Sequence, residues 1–154
     1  MSRYLVDTNV VSLIVKQMLG RLKGDAQREM ADWFLSQMQD SPTILSFATV
    51  AELKRWVVSK EDPADRKKTS LAIGIFFRSS HYIHSNDRIL DAWALLAQEA
   101  RRRGRLAFGG PNNSQINDIW IAATAYACGF TLLTCDKGFD WMAELGVDVL
   151  RYEA

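Results

Sequence analysis

Four carboxylates, Asp7, Glu52, Asp118 and Asp136, are the residues of this sequence best suited to chemistry. Acidic groups that converge on one cleft repel each other and raise one another's pKa unless a cation neutralises them. Oxygen-only ligands around an open cleft suit Mg2+ or Mn2+ rather than zinc. Such an ion lowers the pKa of a water for attack on a phosphodiester and stabilises the charge on the departing oxygen, so no histidine or serine nucleophile is required. Each acid also has a plain structural role open to it. Thr49-Val50-Ala51-Glu52 fits a capping box, in which Glu52 reaches back to the cap residue's N–H. Asp118 in a helix's first turn is favoured by the macrodipole. Asp7 and Asp136 could serve as turn residues bonding nearby amides.

The elements that must position these acids begin with Asn117 to Ala125. From Ile119 to Cys135 there is no charged residue, yet the run is shorter than the about 20 apolar residues a bilayer needs, and Gly129 interrupts it. The better reading is a buried helix from Ile119 to Cys128, stopped by Gly129, then a strand from Thr131 to Thr134. A helix apolar all round lies against a sheet and other helices, and its polar front end must open into a cleft.

Tyr4-Leu5-Val6, ended by Asp7-Thr8-Asn9, suits a strand covered on both faces. Val10 to Val15 could start a helix. Asp25 to Gln39 reads as an amphipathic helix, and Thr43 to Ser46 as a second strand. Thr49 opens a helix running from Val50 to about Lys60, and Arg66 to Phe77 is a further one. His81 to His84 is a third strand, and Arg88 to Arg103 a long helix capped by Gly104. Leu106 to Gln115 is a loop, Phe139 to Leu145 a short helix, and Val147 to Leu150 a last strand. This alternation predicts one α/β domain over residues 1–154, an α/β/α sandwich around a mainly parallel five-stranded sheet. In such sheets the ligand site lies beyond the carboxyl ends of the strands, where all four acids would then fall.

Length and composition agree. The chain has 154 residues and 48% hydrophobic content, enough for a sizeable core. A net charge of +1 gives no bulk attraction to nucleic acid or membrane, so a polyanionic partner must be met by local basic patches. The two cysteines, Cys128 and Cys135, suit neither a disulfide scaffold nor a common zinc motif. With a start too polar for a signal peptide, this points to a soluble, cytoplasmic protein with no membrane association.

The matching stretches are Leu5-Val6-Asp7-Thr8-Asn9-Val10, Ser46 through Ala51-Glu52-Leu53, Gly104-Arg105, Asn117 to Ala125, and Thr134-Cys135-Asp136-Lys137-Gly138-Phe139. On these the chain resembles the PIN-domain ribonucleases, and within them the VapC-type toxins of bacterial toxin–antitoxin pairs. The resemblance spans nearly the whole chain. It implies that Asp7, Glu52, Asp118 and Asp136 form the Mg2+ or Mn2+ site, with Thr8, Asn9 and Thr134 orienting those carboxylates or a water on the metal. Asp140 could add a further acidic neighbour. It also implies cleavage of RNA, often a structured RNA such as tRNA, inhibition by an antitoxin that blocks the cleft, and a homodimer. One departure is the loop Leu106 to Gln115, longer than the usual link to the third acid, which bears on substrate choice.

Arg101, Arg102, Arg103 and Arg105 form the strongest basic cluster, and Lys54, Arg55, Lys60, Arg66, Lys67 and Lys68 a second. These are either phosphate-binding surface or solvated helix ends. His81 and His84 would face opposite sides of a strand, which argues against a metal role. The tryptophans and methionines of Asp25 to Gln39 and Thr49 to Val58 are core or an apolar groove for an antitoxin helix. The rival from another class is a non-catalytic PIN-like module acting through protein or nucleic-acid binding. A phospho-accepting receiver domain is set aside, because Asp7 stands alone and strand three ends in His84-Ser85.

Overall fold

The computed structural model describes residues 3–105 and 114–154. Five strands, β1 (Tyr4–Val6), β2 (Thr43–Ser46), β3 (Ser80–Ile83), β4 (Thr131–Thr134) and β5 (Val149–Arg151), form one sheet in the order β3-β2-β1-β4-β5. Every pairing is parallel, with Leu5 opposite both Ile44 and Leu132. Between the strands run α1 (Thr8–Met18), α2 (Gly24–Met38), α3 (Phe47–Val58), α4 (Pro63–Arg78), α5 (Asp87–Arg102), α6 (Ser114–Cys128) and a 3-10 helix (Lys137–Leu145).

Strand residues alternate between two cores, as the pleat requires. Leu5, Ile44 and Leu132 pack with α5, α6 and the 3-10 helix. Val6, Leu45 and Leu133 face the other way, against α1, α2, α3 and α4. The expected sandwich is therefore present, with both faces of the parallel sheet covered. The chain winds outward from β1 in one direction and from β4 in the other. The crevice of such a sheet opens where the winding reverses, between the carboxyl ends of β1 and β4.

Several element boundaries differ from those expected. The helix after β2 begins at Phe47, because Ser46 takes the cap and accepts from the Ala48 amide at 3.2 Å. α6 begins at Ser114, five residues ahead of Ile119, and ends where Gly129 turns the backbone at φ 71°. β3 and β5 are each displaced, to Ser80–Ile83 and Val149–Arg151. The anticipated loop Leu106 to Gln115 lies outside the described residues, apart from Ser114 and Gln115 at the start of α6.

Candidate active site

Asp7 is the first residue past β1, and its backbone N–H extends the sheet by donating to the Leu133 carbonyl at 3.0 Å. It stands at the cap of α1, yet its side chain makes no capping hydrogen bond. The carboxyl therefore does not cap α1, although it keeps a local bond to the Thr8 amide. The carboxyl is 2% exposed, and the Thr134 hydroxyl donates to its Oδ2 at 2.8 Å. Burial pushes its pKa up to about 7. The Thr134 bond and the Thr8 amide pull it down, and the charges of Glu52 and Asp136 push it further up.

The capping-box explanation of Glu52 fails. With α3 starting at Phe47, Glu52 is a turn too deep to reach a cap residue. Its Oε1 instead accepts from the Thr8 hydroxyl at 2.8 Å, which links α3 to the start of α1. Thr8 Oγ1 also lies 3.2 Å from Thr49 Oγ1. Burial raises the pKa of Glu52, against hydrogen bonds from Thr8 and Asn117 and the nearby positive charge of Arg55.

Asp118 is not in the first turn of its helix, since α6 starts at Ser114. The macrodipole thus gives it little support, because that effect fades beyond one turn. Its pKa is pushed up to about 8, by burial first and then by Asp7, Asp136 and Glu52 in that order. Asp136 keeps a structural role, as the cap of the 3-10 helix, and its Oδ1 accepts from the Gly138 amide at 2.8 Å. A Cβ at position 138 would sit 3.1 Å from that oxygen, so the glycine permits the close turn. The Thr134 hydroxyl joins the two acids, accepting from the Asp136 amide at 3.0 Å while donating to Asp7.

The structure thus brings Glu52 and Asp136 within electrostatic reach of Asp7, and all three within reach of Asp118, at the carboxyl edge. Among the described residues, no three His, Cys, Asp or Glu side chains stand as a ready-made ligand cluster. The donor chemistry nonetheless fits a hard divalent cation, because the acids are oxygen donors whose negative charges destabilise one another. Two carboxyls whose pKa values are raised chiefly by burial, and further by acidic neighbours, are poised to take up a cation in exchange for protons.

Of the supporting residues named from sequence, Thr8 and Thr134 touch the acids directly. Asn9 is exposed, and its backbone carbonyl accepts from the Ser12 hydroxyl at 3.0 Å. Sequence reasoning did not assign Asn117 to the site, although it adjoins Asp118 and bonds Glu52. Nor did it find the buried contact of Ser46 Oγ with Thr124 Oγ1, 3.0 Å, which fastens the end of β2 to α6. Both polar residues were visible in the motifs, but their partners are 65 or more positions away.

The arginine cluster lies elsewhere. α5 starts just past the carboxyl end of β3 and carries Arg101, Arg102, Arg103 and Arg105 toward the opposite edge. There Arg103 Nη1 pairs with Glu144 Oε2 at 2.7 Å, in the segment that returns to the start of β5. Arg102 is held by Glu99 at 2.7 Å, and Arg103 and Arg105 lie over the Trp141 ring. Ion pairs account for Arg102 and Arg103, and the direction of α5 carries the group away from the carboxyl edge that holds the four acids. Asp140 points outward to Arg151 at 2.9 Å. His84 and Tyr82 pack ring against ring, exposed on and beyond β3. Met30, Trp33, Met38, Trp56 and Val57 pack against the core, whereas Leu35 and Val58 remain exposed. No helix among the described residues is long and apolar enough to cross a membrane.

Comparison with known proteins gives a consistent picture. The PIN domain family model matches residues 4–145. Ribonuclease VapC4 of Mycobacterium tuberculosis is 30% identical over 105 residues, 67% of this chain and 73% of that protein. A chain of the VapBC2 complex from Rickettsia felis, bound to a promoter DNA fragment, superposes with a TM-score of 0.72 at 18% identity, covering 97% of this chain and 98% of that one. A chain of DNA-bound VapBC from Salmonella typhimurium gives 0.72 at 17% identity, covering 98% of both. At these identities the two structures speak for the fold alone.

Proposed function

The chain belongs to the PIN domain family, and from that premise we propose that it is a metal-dependent endoribonuclease of the VapC kind. One observation carries this reading: Asp7 and Asp118 have pKa values of about 7 and 8, raised by burial and by their acidic neighbours. A fold that needed these residues only as caps or turns would not gather them unneutralised.

Asp7, Glu52, Asp118 and Asp136 would hold Mg2+ or Mn2+. When bound, the ion supplies Lewis-acid chemistry, activating a water and stabilising charge on the departing oxygen. The chain's own residues set the geometry. Thr134 fixes Asp7 against the Asp136 turn, and Thr8 fixes Glu52. Packed helices and strands hold all four acids, which limits the reorganisation needed as charge develops on the phosphate. The substrate is RNA, with tRNA as one candidate, and the reaction is hydrolysis of a phosphodiester bond.

The proposed partner is an antitoxin protein, as in the VapBC complexes whose fold this chain shares. Val58 at the end of α3 and Leu71 and Ile75 on α4 are exposed apolar side chains of the type an antitoxin helix would cover. A homodimer and a cytoplasmic site of action belong to the same reading. The test is purified protein with total RNA, with and without Mn2+. Cleavage should require the ion and vanish in Asp118→Asn while the circular dichroism spectrum is unchanged. Undiminished cleavage in excess EDTA or by Asp118→Asn would overturn the nuclease reading. Absence of cleavage and of metal binding in the parent protein would favour a non-catalytic binding module.

A further inference from the structure

Beside Glu52 the surface holds a cleft that the four-acid reading does not use. Its volume is about 250 Å3, and its walls are Thr8 from α1 with Glu52, Arg55 and Trp56 from α3 and Ser59 at the end of that helix. The α3 residues follow one another at helical spacing on a single face, so the cleft runs along that helix away from the acids. Its lining sets one cation, Arg55, and the Trp56 ring beside Glu52, and two lysines flank that ring. Lys60 Nζ lies 5.2 Å and Lys16 Nζ 6.0 Å from the centre of the Trp56 ring. Lys60 also pairs with Asp65, at 3.7 Å, which Arg21 contacts at 2.6 Å. Packing against the core under α1, α3 and α4 accounts for the buried side of Trp56. It does not account for the cations gathered around the cleft.

A half-exposed aromatic ring flanked by cations, next to a carboxylate of the cleavage site, matches what a single-stranded nucleic acid asks of a protein. Base faces stack on aromatic side chains, and phosphates are met by Lys and Arg. We propose that this cleft is a nucleotide subsite, which receives the nucleotide adjoining the scissile phosphate of an RNA strand. Its base stacks on Trp56, and its phosphate is held by Arg55 and Lys16. The inference rests on the ribonuclease reading above and adds to it a place where substrate preference is set. An incoming base takes the place of one ammonium group over the ring, and that group then meets the adjoining phosphate.

The test separates binding from cutting. A labelled single-stranded oligoribonucleotide is titrated into Asp7→Asn protein, which binds without cleaving, and anisotropy is read. Adding Trp56→Ala should weaken binding about tenfold through loss of the stack, whereas Trp56→Phe should retain most of the affinity. Adding Arg55→Gln should reduce the slope of log affinity against log salt by about one. In protein with Asp7 intact, Trp56→Ala should raise KM and leave kcat within about twofold of the parent. Should Trp56→Ala fail to fold, the Trp56→Phe and Arg55→Gln arms still decide. Unchanged affinity and salt slope in folded variants, with the parent still cutting RNA, would overturn the subsite and spare the nuclease reading. A parent that leaves every RNA uncut would instead remove the nuclease reading. Variants that keep RNA binding but lose an antitoxin peptide would show a protein-docking cleft and overturn the subsite.

Discussion

Replacing Asp7 by asparagine should abolish metal-dependent cleavage and, in metal-free buffer at alkaline pH, make the protein more stable. The carboxyl ionises near 3.8 in an unfolded chain and at about 7 in the fold. Between those values the native state holds a proton that the unfolded state has released, so stability falls as pH rises through the window. Above pH 7 the full difference applies, and at about 1.4 kcal/mol per unit it amounts to roughly 4 kcal/mol. Asparagine is neutral at every pH and removes this penalty. Its carbonyl can still accept from the Thr134 hydroxyl, but its amide protons need partners in a buried place, which returns about 1–3 kcal/mol. The net gain of about 1–3 kcal/mol corresponds to a rise in Tm of about 2–10 °C for a domain of this size. Thermal melts followed by circular dichroism in EDTA, from pH 4 to pH 9, are the assay. The advantage of Asp7→Asn should be largest at pH 8 to 9 and disappear toward pH 4. Mn2+ should raise the Tm of the parent and not of the variant. A variant that is equally destabilised at all pH values would refute the reasoning, because Asp7 would then be a structural hydrogen-bonding residue and not a strained anion.

Two further outcomes follow from the same geometry. Thr134→Val removes the donor to Asp7 Oδ2 and the acceptor of the Asp136 amide. Losing a residue that orients a metal ligand typically costs about 10–100-fold in metal affinity or activity, so Mn2+ affinity and cleavage rate should both fall by that order while the RNA affinity of the metal-free protein is unchanged. Mn2+ affinity of the parent should itself depend on pH. Asp7 and Asp118 must shed protons held with pKa values of about 7 and 8, so affinity should rise steeply from pH 6 to pH 8 and level off above, readable by calorimetry in buffers of different ionisation enthalpy.

How much of this was legible in the sequence depended on the range of the interactions involved. The sheet and the edge carrying the acids were readable because apolar runs, glycines and caps are local signals. The cap of α3 shows where such signals run out. Ser46 and Thr49 are both good cap residues, and the choice between them is made by where β2 stops pairing with its neighbours. That choice decides whether Glu52 is a capping partner or faces Thr8. In the same way, Ser114 and Gln115 read as the tail of a polar loop and Asp118 as part of a first helical turn, whereas α6 already begins at Ser114. The arginine cluster misleads for a related reason. Its partner Glu144 lies 41 positions away, and no window of sequence links the two. Lys16 and Trp56 likewise meet only because α1 and α3 lie side by side.

The bond from Thr134 to Asp7 spans 127 positions of the chain. Asp7 is made before the strand beside it and before the turn that carries Asp136. A nascent or truncated polypeptide that stops short of β4 therefore holds some of the acids and no assembled centre. For a protein proposed to cut RNA, this order leaves a nascent copy without its full set of acids until β4 and the Asp136 turn have been made.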